Sequence, residues 1–301
     1  MDPAAPPQAG AEEAARRGLP ADPTLIRRAL AGVGVFAAAA IAFAFLLFPI
    51  VAIFSRVSPG RLVAQLSRPV VTDALVLSLE TSAIAQALVL LLGTPAAYLL
   101  ATRRFRGRSL AVVLVELPLV LPPAVAGIGL IAAFGRFGLL GGTLDAFGIQ
   151  LGLTQAAVVI AVAYVSSPLY VRQAIAAFEA VDTDLVAASR TLGAGPVRTF
   201  FRVVLPLARR GLAAGEALSF ARGLGEFGAT IMFAGSLQGV TQTLPLAIYQ
   251  QFNVQPDGFT TALAMSALLV VVSGALLVAL RVSLSWQPSR PTSRFLFAPS
   301  R

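Results

Sequence analysis

The sequence predicts an all-α integral membrane protein with six spanning helices, and three observations carry that prediction. Of 301 residues, 57% are apolar and only 12% are charged, about half the charged share of a soluble domain. The mean hydropathy is +0.81. The apolar residues also gather into stretches that reach the ~20 helical residues needed to cross a bilayer. The ~10-residue alternation of a membrane barrel is absent. Helix is the spanning element because each backbone N–H and C=O then finds its partner within the segment.

The six stretches lie at 29–54, 74–101, 109–134, 155–178, 207–234 and 258–281. Residues 1–28, rich in Ala and Pro near their start, read as a disordered tail. Residues 29–281 form the membrane domain, and 282–301 a second tail. The apolar run at 29–54 exceeds the ~7–15 residues of a signal-peptide core, so it is read as a span.

Arginine placement orients these spans. Arg16, Arg17, Arg27 and Arg28 precede the first, while Arg103, Arg104, Arg106 and Arg108 follow the second. Arg190, Arg198, Arg202, Arg209 and Arg210 follow the fourth, and Arg281, Arg290, Arg294 and Arg301 follow the last. The other side holds only Arg56, Arg61, Arg68 and Arg136. The excess of positive charge puts both termini and the 179–206 loop in the cytoplasm of a bacterial-type inner membrane. A net charge of +9 is accounted for by these flanking arginines, so no nucleic-acid partner is expected.

The chain has no Cys, His or Lys, and all 23 basic residues are Arg. That excludes thiol chemistry, the usual zinc sets, histidine acid–base catalysis and lysine Schiff bases. It also excludes a P-loop, whose lysine holds the phosphates. No catalytic residue, cofactor or metal site is expected, and work driven by a nucleotide requires another chain.

The 179–206 loop, EAVDTDLVAASRTLGAGPVRTFFRVVLP, is polar and helix-forming in an otherwise apolar chain. Asp182 or Asp184 can cap a helix whose apolar positions are Leu185, Ala188 and Leu192, with Gly193 at its end. Gly195-Pro196 restarts a helix, since a first-turn proline sacrifices no hydrogen bond. Phe200, Phe201 and Val204 follow, and Leu205-Pro206 leads into the fifth span.

Inside the spans, Pro118, Pro122 and Pro123 each remove a backbone donor and kink the third helix. Gly127 and Gly129 then permit close approach. Irregular backbone at membrane depth is tolerated where it lines a cavity or is buried in protein, which makes this stretch a candidate for a transport path. Glu80, Glu116, Glu216, Arg222 and Glu226 are ionisable residues within spans, so each must face protein or water. Arg222 and Glu226 are four apart and can form an ion pair on one helical face. Arg222 can alternatively lend positive potential to a passing anion. Outside the membrane, 135–152 and 235–257 are long connections. Leu244, Ile248, Gln251 and Phe252 have the spacing of a short amphipathic helix on the membrane surface.

The 179–206 loop resembles the signature loop of ATP-binding-cassette importer permeases, E-A-A-x₃-G-x₉-I-x-L-P. Ala187, Ala188 and Ser189 stand at the E-A-A positions, Gly193 at the glycine, and Val203, Leu205 and Pro206 at I-x-L-P. Ala187 replaces the motif's glutamate, so the resemblance carries no ion pair from that position. FARGLGEFGATIMFAG at 220–235 and TQTLPLAIY at 241–249 are similar to the molybdate branch of these permeases. LPLVLPPAVAGIGL at 117–130 and FGRFGLLG at 134–141 are similar to the same branch. Sulfate permeases share FAR-x-x-GEFG but differ after it.

The resemblance implies a type I importer fold, working as a homodimer in the lipid bilayer. Its cytoplasmic loops would dock on two copies of a separate ATPase. An extracytoplasmic molybdate-binding protein would deliver molybdate, or tungstate. Pro118, Pro122, Pro123, Gly127, Arg222, Glu226 and Gly228 become candidates for the translocation pathway or its gate. Two readings stay beside this one: a sulfate or thiosulfate permease of the same class, and an ion-coupled secondary transporter using the four span glutamates as a proton relay. The second of these requires internal repeat symmetry, and the first three spans carry no LPLVLPP counterpart in the last three.

Overall fold

The computed structural model describes residues 23–254 and 258–285. Among them, every regular element is helical. The chain divides into two units at Ser55/Arg56. The first unit contributes α1 (Pro23–Arg56), a helix with Pro49 inside it. From Gly32 onward none of its residues is buried. A helix apolar on every side is built for contact with lipid or with another apolar surface.

The second unit is a bundle organised around α7 (Gln155–Glu179). Before it come α2 (Pro59–Leu66), α3 (Pro69–Thr102), α4 (Arg108–Val120), α5 (Pro123–Phe134) and the short α6 (Gly141–Ala146). After it come α8 (Thr183–Thr191), α9 (Pro196–Thr199), a π-helical turn (Phe200–Val204) and α10 (Leu205–Leu224). The chain finishes with α11 (Gly228–Ala234), α12 (Leu244–Val254) and α13 (Gly258–Ser285). One core cluster joins α7 to α3, α5 and α11 through Val158, Val162, Ala85, Leu130 and Phe233. A second joins the other half of α7 to α3 and α10 through Tyr170, Phe178, Leu100, Val204 and Leu212. The central helix is therefore sealed on several sides by its neighbours, while the outer helices keep apolar faces exposed.

Small residues make that packing close. Every fourth residue on one face of α10 is small: Gly211, Gly215, Ser219 and Gly223. A Cβ at Gly211 would lie 2.5 Å from the Ala177 side chain, one at Gly215 2.8 Å from Gln173, and one at Gly223 2.9 Å from Val162. Such a stripe lets two membrane helices approach backbone to backbone. Ser219 fills the third position of the stripe, donating 3.0 Å to the Ser166 carbonyl and 2.9 Å to Gln86 Oε1. Gln86 in turn donates to Ser166 Oγ at 3.1 Å, so α3, α7 and α10 are tied at one buried point.

Among the described residues, four helical stretches are long and apolar enough to cross a bilayer, within α1, α3, α7 and α13. The protein is thus a multi-pass membrane protein. The third span, expected to be kinked, and the fifth are each divided into two helices. The third is a pair, α4 and α5, bent by 116°. Pro122 and Pro123 remove two successive donors there and end one helix as they start the next. The fifth is broken at Gly225–Phe227 into α10 and α11. Arg209, Arg210, Glu216 and Arg222 keep α10 below the apolarity of the other spans. Counting the bent pair as one gives up to five spans by length and composition.

The expected surface helix after the fifth span is present as α12, but it is not a surface helix. Leu244, Leu246 and Ala247 are almost wholly buried, and Leu244 and Ala247 pack with Val71 and Ala74 of α3 and Met265 of α13. The Leu244 N–H donates to Ser78 Oγ at 2.7 Å, anchoring the helix start inside the bundle. Only its far end, with Tyr249 and Phe252, is exposed.

Candidate functional site

The 179–206 loop folds from its capping residues outward. Asp182 caps α8 by accepting the Asp184 N–H at 2.8 Å. At the other end, Gly193 takes φ +82°. Its N–H reaches the Arg190 carbonyl, and that of Ala194 reaches Ser189. Only a residue tolerant of left-handed backbone closes a helix this way. Pro196 then starts a helical run that continues without a break to Leu224, with the π-turn within it. Pro206 lies two residues beyond that turn and has no N–H for a carbonyl one turn back. The chain widens there, and the Leu205 N–H reaches five residues back to the Phe200 carbonyl.

The motif positions come together in this geometry. Ala187, Ala188 and Ser189 occupy the middle of α8, with Gly193 just beyond it. Ser189 Oγ lies 3.1 Å from Thr199 Oγ1, which ties α8 to the run that carries Val203, Leu205 and Pro206. Ala187 and Ala188 are exposed, and Leu192 is 87% and Val197 71% exposed. An apolar, small-residue surface outside the bundle is unusual unless another protein covers it. Behind it, Phe200 stacks edge-on with Tyr98 at 4.8 Å, and Tyr98 with Phe178 at 5.4 Å. The spacing of motif residues identifies the loop but not this aromatic anchor, whose members come from three separate elements.

The pathway candidates divide into two groups. Pro123, Gly127 and Gly228 meet where α5 crosses α11: a Cβ at Gly228 would lie 2.6 Å from Pro123 Cβ. One at Gly127 would lie 2.6 Å from Met232 Cβ and 2.9 Å from the Ala229 carbonyl. The two half-helices thus start beside one another, each just after a chain break. Pro122 sits at the first break, and Pro118 one turn earlier within α4. At the second break, Arg222 Nη1 pairs with Glu226 Oε2 at 2.8 Å. Oε1 of the same carboxylate accepts the Ala229 N–H at 2.8 Å. The Glu226 side chain is 1% exposed and that of Arg222 35%. Glu226 therefore bridges the end of α10 to the start of α11, the ion pair expected from the spacing with an added capping bond.

The two sites occupy opposite ends of α10. Sixteen residues separate Pro206 from Arg222, a helical rise of about 24 Å. Among the described residues no cluster of metal-ligating side chains occurs.

The chain matches the family model described as binding-protein-dependent transport system inner membrane component over residues 90–284. It is 48% identical over 231 residues to the molybdenum transport system permease protein ModB of Mycobacterium tuberculosis, covering 76% of this chain and 86% of that protein. It is 37% identical over 248 residues to the probable transport system permease protein NifC of Clostridium pasteurianum, covering 81% and 85%. In fold it is similar to a bacterial ABC transporter involved in the import of the acidic polysaccharide alginate. The TM-score is 0.69 at 14% identity, covering 87% of this chain and 97% of that one. With the signature loop, the broken third and fifth helices and these matches together, the chain belongs to the family of binding-protein-dependent transport system inner membrane components.

Proposed function

We propose that the chain is the membrane-spanning subunit of an ABC importer for molybdate, working as a homodimer of six-span subunits with both termini in the cytoplasm. It catalyses no reaction itself. Two copies of a separate ATPase hydrolyse ATP, and an extracytoplasmic binding protein delivers the anion. The observation that carries this reading is the exposed α8 surface, capped by Asp182 and Gly193 and joined to α10 through Ser189 and Thr199. The name of the 48% identical relative supports molybdate as the substrate.

The geometry accounts for coupling. ATPase closure moves α8, and the Ser189–Thr199 contact passes the displacement to the helical run from Pro196 to Leu224. A helix of that length is about 43 Å long and moves nearly as a rod. Its far end holds the Glu226 bridge and, through it, α11 against α5. ATP binding to the closed ATPase dimer supplies the differential free energy for the switch. Glu80 supports a dimer: it lies exposed in the middle of α3, where lipid contact for a charge is costly, and a second subunit provides the needed cover.

The test is ATP hydrolysis by the chain reconstituted with its ATPase in liposomes, adding binding protein loaded with molybdate, sulfate or nothing. Stimulation by the molybdate-loaded form alone is expected. Greater stimulation by sulfate would assign a sulfate permease, the branch that shares FAR-x-x-GEFG at 220–228. Absence of any ATPase partner would return the chain to ion-coupled transport.

A further inference from the structure

Between α3 and the helical run from Pro196 lies an open cavity of about 1400 Å³. Its floor is the end of α7, with Phe178 and Glu179, and its lower rim includes Ala187 and Arg190 of α8. The upper wall is apolar: Leu90, Leu91, Pro95 and Tyr98 line it along one side of α3, and Phe201 and Leu205 face them. Leu91 is 69% and Phe201 60% exposed. At the opposite end the lining becomes basic, with Arg103, Arg104, Arg108 and Arg190.

The charges at that end are unbalanced. Glu179 is the carboxylate in the lining, and Arg108 holds it at 2.5 Å while donating to the Leu100 carbonyl at 2.6 Å. Arg103, Arg104 and Arg190 make no ion pair with a described residue. The distribution has the dimensions of a membrane leaflet. From Leu91 to Arg103 the helix rises about 18 Å, close to half of a ~30 Å hydrocarbon core plus its interface. The cavity also exceeds the several hundred cubic ångströms of an ordinary small-molecule pocket.

We propose that this cavity is a binding site for an anionic phospholipid of the cytoplasmic leaflet. Its phosphate lies among Arg103, Arg104 and Arg190, and its acyl chains lie along Leu90, Leu91 and Phe201. Guanidinium forks match phosphate oxygens, and basic pockets between membrane helices on the cytoplasmic side suit such headgroups. Because Ala187 and Arg190 belong to α8, the bound lipid braces the loop that meets the ATPase. The leaflet assignment rests on the orientation proposed above, but the binding itself is measured without any ATPase.

The test is native mass spectrometry of the full chain in detergent with equal amounts of phosphatidylglycerol and phosphatidylcholine. Selective retention of phosphatidylglycerol is expected. Retention should fall about fivefold for each guanidinium removed, so about twenty-fivefold in R103Q/R104Q and about fivefold in R190Q. R136Q, on the opposite side of the membrane, should leave it unchanged. Equal retention by the parent and both test variants would overturn the site. Displacement of the lipid by millimolar inorganic phosphate or molybdate would also overturn it, assigning the cavity to a free oxyanion instead. Failed coupling with intact lipid retention would count against the transporter reading alone.

Discussion

Gly228 packs so closely on Pro123 that a Cβ at 228 would lie 2.6 Å from the proline Cβ. Both residues open short helices, α11 and α5, immediately after chain breaks. A proline ring cannot rotate away, so the space for a side chain at 228 does not exist without moving one half-helix. Gly228→Ala should therefore cost about 1–3 kcal/mol of stability through overpacking and reduce uptake at least in proportion. Gly129 lies on the same α5, but a methyl group there would meet nothing within 4 Å, so it should accept Ala with little change. Melting temperatures and uptake rates of the two variants, measured together, check the contact; equal tolerance at both positions would remove it.

The Arg222–Glu226 pair predicts an ordering rather than a single value. Glu226 is 1% exposed and bonded on both oxygens, whereas Arg222 is 35% exposed. Arg222→Gln leaves a buried carboxylate without its cation, a loss of about 3 kcal/mol or more. Glu226→Gln keeps an acceptor for the Ala229 N–H and leaves an arginine that can reach water, for about 1–2 kcal/mol. The arginine variant should unfold at the lower temperature. The reverse order would mean that Arg222 has another partner, as an anion-path role for it requires.

Gly193 sits at φ +82° with open space around it, so only backbone strain opposes a side chain there. A β-branched residue is a true outlier in that region. Gly193→Val should cost about 1–2 kcal/mol locally and misdirect α8 while leaving the bundle folded. Gly195, with a negative φ and equal space, should tolerate Ala. In liposomes with ATPase and loaded binding protein, ATP hydrolysis stimulated per anion transported should rise several-fold for Gly193→Val only. Normal coupling in that variant would sink the docking role of the loop.

These residues mark how far the sequence can be read. Helix ends controlled by local chemistry are legible: Asp182 at the start of α8, Gly193 at its end, and the four-residue spacing of Arg222 and Glu226. Pro122-Pro123 announces a kink, but the 116° bend depends on α5 packing against α11, which local sequence does not contain. The break at Gly225–Phe227 carries no proline and is held by the Glu226 capping bond, a contact set by the fold. Leu244 has the same apolar signal whether it faces lipid or Val71, so the burial of α12 cannot be read from periodicity. The Tyr98–Phe178–Phe200 cluster unites residues up to about a hundred positions apart. Its aromatic members look like ordinary membrane residues until α3, α7 and the π-turn are placed together.

The stripe of Gly211, Gly215, Ser219 and Gly223 supports the last prediction, because it combines close packing with one polar link. Ser219→Ala removes the donor to Gln86 and Ser166 but preserves the volume. Interhelical hydrogen bonds in membranes are worth about 0.6 kcal/mol on average and up to about 1.7, so a loss in that range is expected. Ser219→Leu keeps the helix apolar yet forces α10 off α7, with an overpacking cost of several kcal/mol beside three further close approaches. If the helical run from Pro196 moves as one rod, the leucine variant should lose ATP-driven uptake almost completely. The alanine variant should retain most of it. Cysteine pairs across α7 and α10, introduced into this cysteine-free chain, would report the displacement directly: crosslinking should persist in Ser219→Ala and fall in Ser219→Leu. Retained crosslinking and uptake in the leucine variant would show that the seam is not what holds α10 to the centre of the bundle.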